Sequence, residues 1–155
     1  MQASELRRGA IAGIIAGIVF VMVEMAAVTM VMGMSPWGPP RMMAAIVLGE
    51  GALPPPETFD AGIVFVGMMV HFVLSAVLGA GFAMAASRMC TSLAHATIAG
   101  ILMGIVIYGV NFYGFTALFP WFAMARNAIT ITAHAIFGAV MGWYYWRSRV
   151  VLLSG

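Results

Sequence analysis

The sequence has no lysine, a single cysteine and very little charge: only 8% of its 155 residues are Asp, Glu, Lys or Arg. An ordinary soluble domain is about 25% charged and about 45–50% apolar, whereas 63% of this chain is hydrophobic. So short a chain cannot hide that much apolar side chain from water, because small domains leave a large share of their surface exposed. Part of its solvent must be lipid. That excludes a soluble enzyme, a nucleic-acid binder and a disordered tail. The net charge of +2 rests on too few groups to identify a partner. One cysteine, Cys90, excludes an internal disulfide framework. No HExxH, no CxxC, no phosphate-cradling glycine loop and no basic cluster occurs. Arg88 stands beside Cys90, and a nearby cation lowers a thiol pKa. No histidine is placed to serve as its base, so Cys90 reads as a loop cysteine.

What the chain does have is long apolar runs. A membrane-crossing helix needs about 20 such residues, and four segments qualify: roughly 9–33, 60–87, 92–118 and 127–146. The runs are continuous and do not alternate, which favours helices over a barrel. The first follows Arg7 and Arg8 and far exceeds a signal-peptide core of roughly 7–15 residues, so it is expected to stay as a membrane helix. Arg7, Arg8, Arg88, Arg147 and Arg149 fall on one side of the four runs, and Arg41 and Arg126 on the other. The positive-inside rule then places both termini and the second loop in the cytoplasm. Trp143 to Trp146 reads as an inner aromatic anchor, with Trp37 and Trp121 at the outer interface. The outer loop 34–59 carries Glu50 and Glu57, with Asp60 at its end. Prolines at 36, 39–40 and 54–56 fence off the apolar piece Met42 to Leu48. That piece is too short to span and is expected to be an interfacial helix or a re-entrant segment.

The chain also has the marks of a duplication. Gly13, Gly17 and Glu24 match Gly100, Gly104 and Asn111 at a constant offset of 87. His71, Ser75 and Gly79 match His134, Gly138 and Gly142 at an offset of 63. Pro36-Trp37 with Arg41 corresponds to Pro120-Trp121 with Arg126. The expected fold is therefore an all-α membrane protein, a four-helix bundle of two similar hairpins related by a pseudo-twofold axis along the membrane normal. The glycines should let helix backbones approach closely, since apolar helices gain little by pairing in lipid.

Ionisable groups inside a membrane are costly and mark candidate sites. At a rise of about 1.5 Å per residue, Glu24, His71 and His134 all fall in the outer half of the bilayer. Tyr108 and Asn111 continue the Gly100–Gly104 face toward the same layer, whereas His95 belongs near the inner interface. Two histidines on facing helices could ligate haem b axially. With Glu24 they instead offer two imidazoles and a carboxylate, a set suited to zinc or iron. Methionines at 22, 25, 30, 32, 34, 42, 43, 68 and 69 raise copper(I), which favours thioethers, although methionine more often fills irregular gaps. Two further readings stand beside a cofactor or metal site. One is a small transporter or proton-coupled channel using the same residues. The other is an accessory subunit whose histidines only bond between helices, within a homodimer or a larger membrane complex.

The segment His71-Phe-Val-Leu-Ser-Ala-Val-Leu-Gly-Ala-Gly-Phe82, with Ala12-Gly-Ile-Ile-Ala-Gly-Ile-Val-Phe20 and His134-x3-Gly-x3-Gly, resembles a group of small uncharacterised four-helix bacterial inner-membrane proteins. Some of these carry the automatic label sodium:proline symporter. The label does not transfer, because true symporters are much longer. The resemblance implies a bacterial inner membrane and supplies no catalytic residues.

Overall fold

The computed structural model describes the chain over residues 2–55 and 58–151 and is all-helical there, without strands. Pro56 and Glu57, both assigned to the outer loop, lie outside the described residues. Helix α1 (Gln2–Met32) starts well before the apolar run, with Arg7 and Arg8 already inside it. Glu5 binds Arg8 one turn on, at 2.8 Å. Gly33, at φ 65°, then ends the helix, because only glycine takes that conformation without steric cost. The fenced-off outer piece is a helix, α2 (Gly38–Leu48), with prolines in its first turn, where no backbone N–H is needed. Asp60 caps α3 (Ala61–Met89), accepting from the Ile63 N–H at 2.9 Å. Ser92 caps α4 (Leu93–Gly109), which continues into a π-helical turn, Val110–Gly114. Asn127 caps α5 (Ala128–Val151), accepting from the Thr130 N–H at 2.9 Å.

Among the described residues three segments are long and apolar enough to cross a membrane: Ala3–Met32, Ala61–Met89 and Leu93–Ala117. The expected fourth, α5, is less apolar, and its packing supplies the reason. It lies against both α4 and α1, so Thr130, His134 and Tyr145 are covered by protein. A helix screened by its neighbours needs fewer apolar side chains than one facing lipid. Tyr145, expected in an interfacial anchor, is fully buried and donates its hydroxyl to Glu5.

The helices do not close into the expected arrangement. Helix α1 packs on α3 and α5, and α5 packs on α1 and α4, while α3 and α4 barely meet. The order across the protein is thus α3–α1–α5–α4. A twofold axis relating the pairs α1–α3 and α4–α5 would make α3 on α4 the mate of α1 on α5, and no such seam forms. Within each pair, however, the contacts share one register. A Cβ on Gly13 would strike the Ser75 carbonyl, and one on Gly79 the Gly9 carbonyl. In the other pair Gly100 meets the Gly138 carbonyl and Gly142 the Ala96 carbonyl. These contacts are related by the same offsets of 87 and 63 found in the sequence. Helix α2 lies against α3, with the Pro40 carbonyl seated on Gly67.

These seams predict a sharp difference between glycines. Gly79→Leu and Gly138→Leu should each cost at least about 1–3 kcal/mol, since backbone rather than a flexible side chain stands in the way. Gly81, which faces open space, should accept alanine with little change or a gain of up to about 1 kcal/mol. Unfolding of the purified variants in detergent measures both.

Candidate functional site

The α1–α5 seam carries a carboxylate. Glu24 is 6% exposed. Thr130, in the first turn of α5, donates its hydroxyl to Glu24 Oε1 at 2.9 Å. The other carboxylate oxygen, Oε2, is buried and has no hydrogen-bond partner among the described residues. An unsatisfied buried polar atom costs about 1–3 kcal/mol, and more when charged. Such an atom calls for a proton, a water or a cation.

Room for a small ligand exists beside it. Glu24 lines a cavity of about 30 Å³ with Phe20, Val21 and Met25 from α1, Pro39, Pro40 and Met43 from α2, and Met68 and His71 from α3. That volume suits one water-sized occupant. Gly67 lets α2 approach closely enough to form one wall, because the Pro40 carbonyl occupies the place of its missing side chain.

The Thr130 hydroxyl also lies 3.2 Å from Asn127 Oδ1. Asn127 Oδ1 accepts from a backbone N–H, which fixes it as the acceptor end of that amide. One hydroxyl proton therefore faces two acceptors. Asn127 Oδ1 already has the Thr130 N–H, so the hydroxyl proton is free to go to Glu24; were Glu24 protonated, it could donate to Thr130 and turn the threonine proton toward Asn127.

Both histidines have defined tautomers. His71 Nε2–H donates to the Gly17 carbonyl at 3.0 Å, leaving the lone pair on Nδ1. His134 Nδ1–H donates to the Thr130 carbonyl at 2.8 Å, leaving the lone pair on Nε2. The Phe20 ring stacks on His71 with centroids 5.4 Å apart and meets His134 edge-on at 4.8 Å. Tyr108 and Phe112 complete the aromatic wall around His134, at 5.8 and 5.4 Å.

This arrangement sorts the expected residues. Glu24, His71, His134 and Tyr108 gather in one region. Asn111 lies in the π turn Val110–Gly114, where its neighbour Phe112 packs against His134. Arg41 is buried at the foot of α2, where it donates to the Thr58 and Ala52 carbonyls at 3.0 and 3.3 Å. Arg126 donates to the Phe112 carbonyl at 2.6 Å and to the Thr116 hydroxyl at 3.1 Å, with its guanidinium 4.5 Å over Tyr113. Both arginines thus hold loop and turn segments rather than line the cavity. His95 is exposed and hydrogen-bonded to Thr91. Cys90 is buried, and burial pushes its thiol up against the opposing pull of Arg149, not of Arg88.

Haem b does not fit. Phe20 contacts both imidazoles and takes the space that a macrocycle held by two axial histidines would need. The cavity of about 30 Å³ also falls far below the roughly 300–1,000 Å³ of a cofactor pocket. Nor do Glu24, His71 and His134 form a zinc or iron triad, since no three His, Cys, Asp or Glu among the described residues are placed to hold a metal. The sequence reading missed Thr130 and Phe20. A threonine one turn before His134 was the available signal for the first, as its carbonyl is the natural acceptor for that ring. Comparison with protein-family models, curated proteins and solved structures finds no match to this chain.

Thr130→Val keeps the shape but removes the hydroxyl, leaving both Glu24 oxygens bare. It should destabilise the protein by about 1–3 kcal/mol, while Thr130→Ser stays close to wild type. Thermal unfolding in detergent checks the pair.

Proposed function

We propose that the protein is a multi-pass membrane binding protein that takes one proton or small cation at Glu24. The observation that carries this reading is the bare, buried Glu24 Oε2 beside a cavity of single-ion size. Helix α5 crosses with the other three long helices, and both termini face the cytoplasm. The five arginines at one end against two at the other support that orientation. The resemblance to small bacterial inner-membrane proteins supports the location. The shared register of the two glycine seams supports descent from one duplicated hairpin, with the copies side by side. Lipid is the surrounding partner: Met22, Met30 and Val77 are 67%, 84% and 63% exposed and suit acyl chains. A second copy or a larger complex would dock on such faces.

Infrared spectroscopy of the purified protein tests the site directly. Changing pH or adding a monovalent cation should alter a carboxyl band that Glu24→Gln lacks. Identical difference spectra for wild type and Glu24→Gln would remove the basis of the reading.

The Thr130 hydroxyl, shared between Glu24 and Asn127, favours a second reading in which the site passes protons outward along the α1–α5 seam. In proteoliposomes a proton flux above the empty-vesicle level should then fall to that level in Glu24→Gln. Flux that survives the substitution excludes Glu24 as the carrier.

A further inference from the structure

The same cavity has a second chemical character, and it is carried by sulfur. Nine methionines fall in or near the outer half, yet three of them line this one cavity: Met25 from α1, Met43 from α2 and Met68 from α3. Others behave differently. Met22, Met30 and Met69 are 67%, 84% and 51% exposed, as expected of side chains facing lipid. Three helices therefore each contribute a methionine to the lining of the cavity that Glu24 and His71 also line.

We propose that Met25, Met43 and Met68, together with His71 and Glu24, bind a single soft monovalent cation, copper(I) or its analogue silver(I). The inference rests on the reading of Glu24 as a cation site and names the class of cation. Thioether and imidazole donors are soft to borderline, and they select copper(I) over sodium, potassium or magnesium, which prefer sets of oxygen ligands. Charge supports the same choice. Thioethers and a neutral imidazole add none, so one carboxylate balances one monovalent ion, and a neutral pair is the state least penalised in a buried site. A divalent ion would leave an uncompensated charge there. The His71 tautomer agrees, since its Nε2–H is engaged with Gly17 and the Nδ1 lone pair is left for a ligand role. Size agrees as well, because about 30 Å³ takes one stripped ion and not a hydrated one.

The test uses the full chain, purified in detergent, on a Cys90→Ser background so that the thiol cannot contribute. Copper(I) is titrated against a chromogenic copper(I) chelator under reducing conditions. The expected result is one copper(I) per chain, with sulfur neighbours in the copper X-ray absorption spectrum. Replacing Met25, Met43 and Met68 together by leucine, which nearly conserves volume, should weaken binding by at least about tenfold. The same replacement at Met22, Met30 and Met69 should leave binding unchanged. Unfolding temperatures of both triple variants verify that they are folded. Should the cavity variant misfold, Met43→Leu alone carries the comparison, since it changes one side chain at nearly constant volume. Equal binding by folded wild type and cavity variant would overturn the proposal. Absence of copper(I) and silver(I) binding, with the Glu24 infrared response intact, overturns the soft cation and leaves the Glu24 site standing. Absence of both responses overturns the two together.

Discussion

Close backbone contact between helices is the constraint on which the rest depends. Lipid removes most of the hydrophobic reason for helices to associate, so they must gain dispersion contact and exclude acyl chains instead. Gly9, Gly13 and Gly79 bring α1 onto α3, and Gly100, Gly104, Gly138 and Gly142 bring α4 onto α5. The short distance has a direct chemical result. Gly17 has no side chain, so its carbonyl lies within reach of His71 Nε2. A larger residue there would displace the ring and open the wall of the cavity. The same logic sets α2 on Gly67 and makes it one wall of the cavity.

Polarity follows from that packing. The central helices of the row, α1 and α5, carry the carboxylate and its threonine partner, while long apolar side chains such as Met30, Val77 and Leu102 are exposed. This distribution differs from a soluble protein in its apolar surface and in the polar groups buried beside an apolar core. It explains how α5 can hold two threonines and a histidine in its first two turns. Each polar group there has a local acceptor or donor: Asn127 for the Thr130 N–H, Ala128 for Thr132, and the Thr130 carbonyl for His134. Glu24 Oε2 is the exception. Where the neighbouring polar atoms are satisfied, it is a buried carboxylate oxygen without a hydrogen-bond partner among the described residues.

Much of this was legible in the residues. Continuous apolar runs located the long helices to within a few residues at most ends, because hydrophobic length is a local property. Glu24 and His71 stood out because the chain has so few ionisable groups, and the structure places them on one cavity. Helix α1 begins before the apolar run, since Arg7 and Arg8 are helical residues within it, Arg8 paired with Glu5. Asn111 sits where the regular helix gives way to a π turn, so its face does not follow from the spacing of Gly100 and Gly104. Periodicity cannot anticipate that turn, because its wider hydrogen-bond ring shifts every later side chain around the axis.

The sequence by itself determined the solvent, the helical class and the short register rules at which pairs of glycines meet, since each depends on composition or on spacing within one element. Only the tertiary structure decided the order α3–α1–α5–α4, the placement of Phe20 against both histidines and the gathering of three methionines out of nine. These depend on how helices distant in the chain rotate about their axes and stack. A rotation of one residue, about 100°, turns a lipid-facing methionine into a cavity wall without changing a single letter of the composition.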